Sequence, residues 1–194
     1  MKKNIKTNSL LCFLILTIVM LGGCGTTGTG VSKTQTDFSI VDEQGKVVKY
    51  LAADNDDVVK IKRITEGYFK AMDDRSYETV KGDEEYGFYT NGLVENMKEK
   101  NNQVNTVKYY KDNMLVVADA GIDKFTAKFN ADGTICTVTV TSKLKVTSAT
   151  EAYFKSLNAT KDDTIASDFT LEFVKQSGVW KINGGSSSGA YVLE

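Results

Sequence analysis

Between residues 55 and 72, apolar side chains recur at steps of three and four: Val58, Ile61, Ile64, Tyr68 and Met72, with Phe69 beside them. That spacing lays one apolar stripe along an α-helix. Asn55, Asp56 and Asp57 precede it and supply a capping side chain and an acidic first turn. They lack the loop glycine and closing glutamate of a calcium-binding EF-hand, so they read as a helix start. A second helical region is predicted over about 76–100, broken near Gly82 and Asp83, with Leu93, Val94 and Met97 inward. From Val104 onward the expected period is two. Phe125, Ala127 and Phe129 alternate with polar residues, and residues 130–133 turn the chain. Cys136, Val138, Val140, Leu144 and Val146 then hold the even positions, with Thr137, Thr139, Thr141, Lys143 and Lys145 between them. This is the pattern of a half-buried antiparallel strand.

Phe169, Leu171 and Phe173 alternate in the next strand, and Gln176, Ser177 and Gly178 turn it into Val179-Trp180-Lys181-Ile182. Residues 38–51 read as a short hairpin around Gly45, either an edge of the main sheet or a separate arm. Helices followed by long antiparallel strands make the fold class α+β. The predicted organisation is a leader over 1–23, a flexible tether over 24–36 and a hairpin arm over 37–54. The α+β domain follows over 55–183, then a flexible glycine- and serine-rich tail over 184–194.

The leader carries Lys2, Lys3 and Lys6, then an 11-residue apolar run over 10–20. A run of that length is too short to span a bilayer, which takes about 20 apolar residues, but it suits a secretory signal. Leu21-Gly22-Gly23-Cys24 follows and resembles the lipobox of bacterial lipoproteins. The resemblance implies acylation of the Cys24 thiol, cleavage just before it, and a domain anchored on the extracytoplasmic face of the cell membrane. Residues 25–36, rich in Gly, Thr and Ser, would join anchor to domain with a reach of about 20 Å.

Composition narrows the chemistry. The 194-residue chain has no histidine, which removes the commonest general base and metal ligand. Removing Lys2, Lys3 and Lys6 with the leader leaves 21 basic against 25 acidic residues, a net −4 with no basic cluster. Nucleic acid is therefore not an expected partner. Cys136 is the one thiol left after Cys24, and its parity with Val138 and Val140 makes it a core residue. Asp73-Asp74 and Asp162-Asp163 are adjacent pairs whose side chains point apart, so they read as solvated loops rather than metal ligands. No metal site or cofactor is expected.

The first helix with Tyr68 and Phe69, the broken second region, and the closing hairpin ending Gly178-Val179-Trp180-Lys181-Ile182 together resemble the NTF2-like superfamily. The resemblance covers residues 55–183. It implies a curved sheet wrapped around a helix, with a pocket at the open end of the cone. That superfamily holds enzymes, transport factors and scaffolds alike, so the fold leaves function open. Tyr68, Tyr86, Tyr89 and Tyr109 are the candidate pocket residues, with Tyr110 and the acids Asp119, Asp123 and Asp168 as further residues of suitable type. No local motif ties an acid to a tyrosine, so no catalytic residue is assigned. The expectation is a non-catalytic envelope module that binds a protein or a small molecule. The alternatives are an isomerase, dehydratase or cyclase with a Tyr/Asp pocket, and a scaffold of a conjugation or secretion apparatus.

Overall fold

The computed structural model describes residues 37–193. The leader, Cys24 and the tether lie outside the described residues. The rest is an α+β fold in which helices lie against a strongly curled, mixed eight-stranded sheet shaped as a half-barrel.

Helix α1 (Asp56–Asp73) forms where the stripe predicts it, capped by the Asn55 side chain, which accepts from the Asp57 and Val58 amides. Its buried face is Val58, Ile61, Thr65, Tyr68, Phe69, Met72 and Asp73. Strands β4 (Val116–Phe129), β5 (Ile135–Ser148) and β6 (Thr164–Gln176) supply the opposing surface, and β7 (Val179–Ser187) closes it. Even positions of β5 point inward as predicted: Cys136, Val138, Val140 and Val146 are buried and Leu144 is half-buried. On the other face Thr137 and Thr139 are exposed, but Thr141, expected among the exposed polar positions, is buried against Asp168. The core continues from Phe69 to Phe169, with ring centroids 4.8 Å apart, and to Phe129 edge-on against Trp180 at 5.8 Å. Trp180 Nε1 donates to Asp57 Oδ1 (2.9 Å), and Lys175 Nζ donates to the same carboxylate, so the closing hairpin fixes the start of α1.

The first hairpin, β1 (Phe38–Val41) and β2 (Val47–Tyr50), is an edge of the main sheet. Gly45 takes φ +77° in its turn, a conformation that costs glycine little. β1 pairs parallel with β4, Phe38 against Ala127, which makes the sheet mixed rather than a pure meander. The path runs β2-β1-β4-β5-β6-β7, with β3 (Arg75–Ser76) on β4 and β8 (Tyr191–Val192) on β6.

Three expectations need correction. The stretch after residue 101 is helical: α3 (Asn102–Asp112) follows α2 (Asn91–Glu99), and the period of two begins only with β4. The region predicted as helix over 76–100 is mostly loop, with β3, a single 3-10 turn (Tyr86–Phe88) and the short α2. The glycine and serine run after residue 183 continues β7 to Ser187 and returns as β8, where a flexible tail was expected. A further short helix, α4 (Glu151–Leu157), joins β5 to β6.

Cys136 is a free thiol with no exposed surface, and burial pushes its pKa up. In the chain 25–194, which lacks Cys24, a thiol reagent should react fully in denaturant and negligibly under native conditions. Cys136→Ser should cost about 1–3 kcal/mol by placing a hydroxyl in that apolar layer. Fast labelling of the native chain would show that the thiol is accessible.

Candidate functional site

The hydrophobic interior falls into two clusters. One holds α1, Tyr89 and the β4–β7 surface; the other holds Val80, Tyr110, Leu115, Val117, Val146 and Ile165. Near where α1 ends there is a group of buried polar side chains. Asp73, four residues beyond Phe69, continues the apolar stripe and is 5% exposed. Its Oδ2 accepts from Ser142 Oγ on β5 at 2.8 Å. Burial pushes this carboxyl up to about 7, with Asp119 adding to the rise and Ser142 and Arg75 opposing it. The acid expected to be a solvated loop residue is thus an interior one. Its neighbour Asp74 is the exposed member of the pair, because successive helix positions point apart.

Arg75 on β3 lies beside this acid with its guanidinium buried. Nε donates to the Ala71 carbonyl (3.0 Å), and Nη2 pairs with Glu85 and, at 3.3 Å, with Glu84. Burial works against the Arg75 charge, but Glu85, Tyr110 and Glu84 outweigh it and keep the guanidinium ionised. Burial also raises Glu85, with Arg75 opposing. Glu84, by contrast, accepts from the Lys81 and Gly82 amides. These bonds and Arg75 outweigh its burial and lower its pKa.

Of the four candidate tyrosines, three come together. Tyr89 Oη donates to Tyr68 Oη at 3.3 Å, and the Tyr86 ring lies 6.0 Å from that of Tyr89. Burial raises the pKa of both Tyr68 and Tyr89, and the Glu85 charge adds to it. Tyr86 Oη is shielded beside the Gln103 backbone without a well-formed hydrogen bond. Tyr109 belongs elsewhere, packed against Tyr110 and Tyr153 in the second cluster. The acids also separate. Asp119 lies near Asp73, whereas Asp168 is on the other face of the sheet, accepting from Thr141 Oγ1 (2.6 Å) and Tyr191 Oη (3.4 Å). Asp123 is exposed.

Tyr68, Tyr86 and Tyr89 pack against one another. Hollows open on the surface elsewhere. One, of about 610 Å³, runs between α1 and the bulged part of β4 and is lined by Arg63, Glu66, Gly67, Lys70, Asp119, Gly121 and Ile122. Another, of about 470 Å³, lies along α3 with Lys81, Val107 and Lys111 on its walls. Neither is lined by Tyr68, Tyr89 or Asp73. The α1–β4 groove has Arg63, Lys70, Glu66 and Asp119 on its walls with Ile122 among them. Among the described residues no group of three or more acidic or thiol side chains is placed to hold a metal ion, and no helix is long and apolar enough to cross a membrane.

Its spacing after Phe69 could have marked Asp73 as an acid on the buried stripe, although it was expected to be solvated, and Ser142 holds an inward even position of β5. Arg75 and Glu85 carried no such signal. They meet only because the chain turns back after α1. No protein-family model matches the chain, and no curated protein matches it by sequence.

Proposed function

We propose that this protein is a lipid-anchored, extracytoplasmic binding module without turnover, and that its ligand sits in the groove between α1 and β4. The observation that carries the reading is the open α1–β4 groove, which has charges of both signs on its walls. The hydroxyls of Tyr68 and Tyr89 are bonded to each other, with the rings 4% and 6% exposed, and neither lines that groove. The open groove supports binding. The helix lying against a curled sheet supports an NTF2-like reading of the fold. The anchor rests on the Leu21–Cys24 box and the leader before it.

One observation favours an enzyme instead: a carboxyl raised to about 7 beside buried tyrosines, a pairing that acid–base catalysis uses. Tyr68→Phe separates the two, because it keeps the ring and removes the hydroxyl. The binding reading expects a stability loss of about 1–2 kcal/mol, from leaving Tyr89 Oη without its acceptor. It expects no activity to disappear in a screen of isomerase, dehydratase and cyclase substrates. Reproducible turnover by the wild type that falls by orders of magnitude in Tyr68→Phe would establish the enzyme.

A further inference from the structure

The exposed large apolar side chains of the described domain are unevenly placed. Met114 and Leu193 lie at the end of the sheet where β4 begins, and Val104 is on α3, the helix that leads into β4. The other six, Val47, Val48, Tyr50, Val59, Ile135 and Val179, gather at the opposite end. Ile135 and Val179 open the strands that follow the two hairpin turns there, and Ile135 pairs with Val174 two residues before the end of β6. β2 lies beside β1, which pairs with the last three residues of β4. Val59 sits one turn into α1, whose start is held to this end by the bonds from Trp180 and Lys175 to Asp57.

The chain outside the described residues ends at the same place. The Asp37 carbonyl accepts from the Ala127 amide at 2.9 Å, close to the end of β4. From Cys24 to Asp37 the chain spans at most about 45 Å. The 14 residues of β4 span at most about 45 Å, and the end bearing Asp37 is the one from which the chain leaves toward any anchor at Cys24.

Resting on the lipoprotein reading above, we propose that this end is a membrane-resting surface. With Cys24 acylated, Val48, Tyr50, Val179 and their neighbours settle into the headgroup boundary of the bilayer that holds the anchor. Apolar side chains with an interfacial tyrosine are the chemistry that boundary takes up. Charge does not drive the contact. At this end Lys46, Lys49, Lys60, Lys128 and Lys175 are outnumbered by Asp37, Asp42, Glu43, Asp54, Asp56, Asp57 and Asp132. The surface therefore has no preference for anionic lipid.

The test uses the mature chain 24–194 coupled through Cys24 to a maleimide-bearing lipid in phosphatidylcholine vesicles; buried Cys136 does not compete for the reagent. Lipids brominated on their acyl chains quench nearby tryptophan. Buried Trp180 gives the baseline, to be compared with Val48→Trp and Val104→Trp, both at exposed positions. The expected result is quenching several-fold above baseline for Val48→Trp, unchanged on raising salt, and baseline quenching for Val104→Trp. Equal quenching at the two positions, or stronger quenching at 104, overturns the proposal. Because the anchor is supplied chemically, this result is independent of whether a cell acylates Cys24.

Discussion

Replacing Asp73 by Asn should make the folded chain progressively more stable than wild type as pH rises from about 4 to about 7. The sign follows from the carboxyl's two environments. In the unfolded chain it titrates near 3.8, and in the fold near 7. Below pH 4 both states hold the proton and the wild type keeps its full stability. As pH rises through 7 the unfolded chain releases the proton first, and stability is lost. A difference of about three units corresponds to roughly 4 kcal/mol at neutral pH. Asparagine is the neutral isostere, able to accept from Ser142 Oγ as Asp73 does. It does not titrate, so this part of the pH dependence disappears. Glu85 is present in both chains and cancels in the comparison. Urea unfolding at a series of pH values from 4 to 8 measures the difference. Parallel stability curves for the two chains would show that Asp73 is solvated in the fold.

Arg75→Met should be the more damaging change. It removes the cation from a pair whose arginine side chain is 3% exposed and leaves Glu85 buried without it. It also frees the Ala71 carbonyl at the end of α1. Breaking one side of a buried pair costs about 3–5 kcal/mol. The double variant Arg75→Met/Glu85→Leu should recover most of this, because no charge is then stranded. The single variant should lose less near pH 4, where Glu85 takes up a proton. If single and double variants unfolded at the same urea concentration, the pair would not be acting as a coupled unit.

These two residues also mark how far the sequence could be read. α1 and β5 were legible because each has one buried face, and the spacing of its apolar residues records that face directly. Asp73 sat in the same record, four residues after Phe69. The pairing of Arg75 with Glu85 did not, since it depends on β3 and the 3-10 turn meeting in space. α3 was misread because Val104 is 64% exposed and the segment is rich in Val, Thr and Tyr, residues that favour strands. Val107, Tyr109 and Tyr110 mark its inner side. The tail was misread for a different reason. A Cβ at Gly185 would lie 2.6 Å from the Thr170 carbonyl, so that glycine permits close packing of β7 on β6 rather than flexibility. Among the tyrosines, residue type was legible but company was not. Tyr109 has the same helical setting and aromatic neighbour as a pocket residue would, yet it faces Tyr153.

The proposed function places the anchor of an extracytoplasmic module on Cys24. Metabolic labelling with a fatty acid in a bacterial host that processes lipoproteins tests it most directly. Wild type should take up label and migrate as the form cut before Cys24. Cys24→Ala should remain uncut and unlabelled and should lose its acyl anchorage to the membrane. Equal labelling of the two chains, or no labelling of either, would contradict the account.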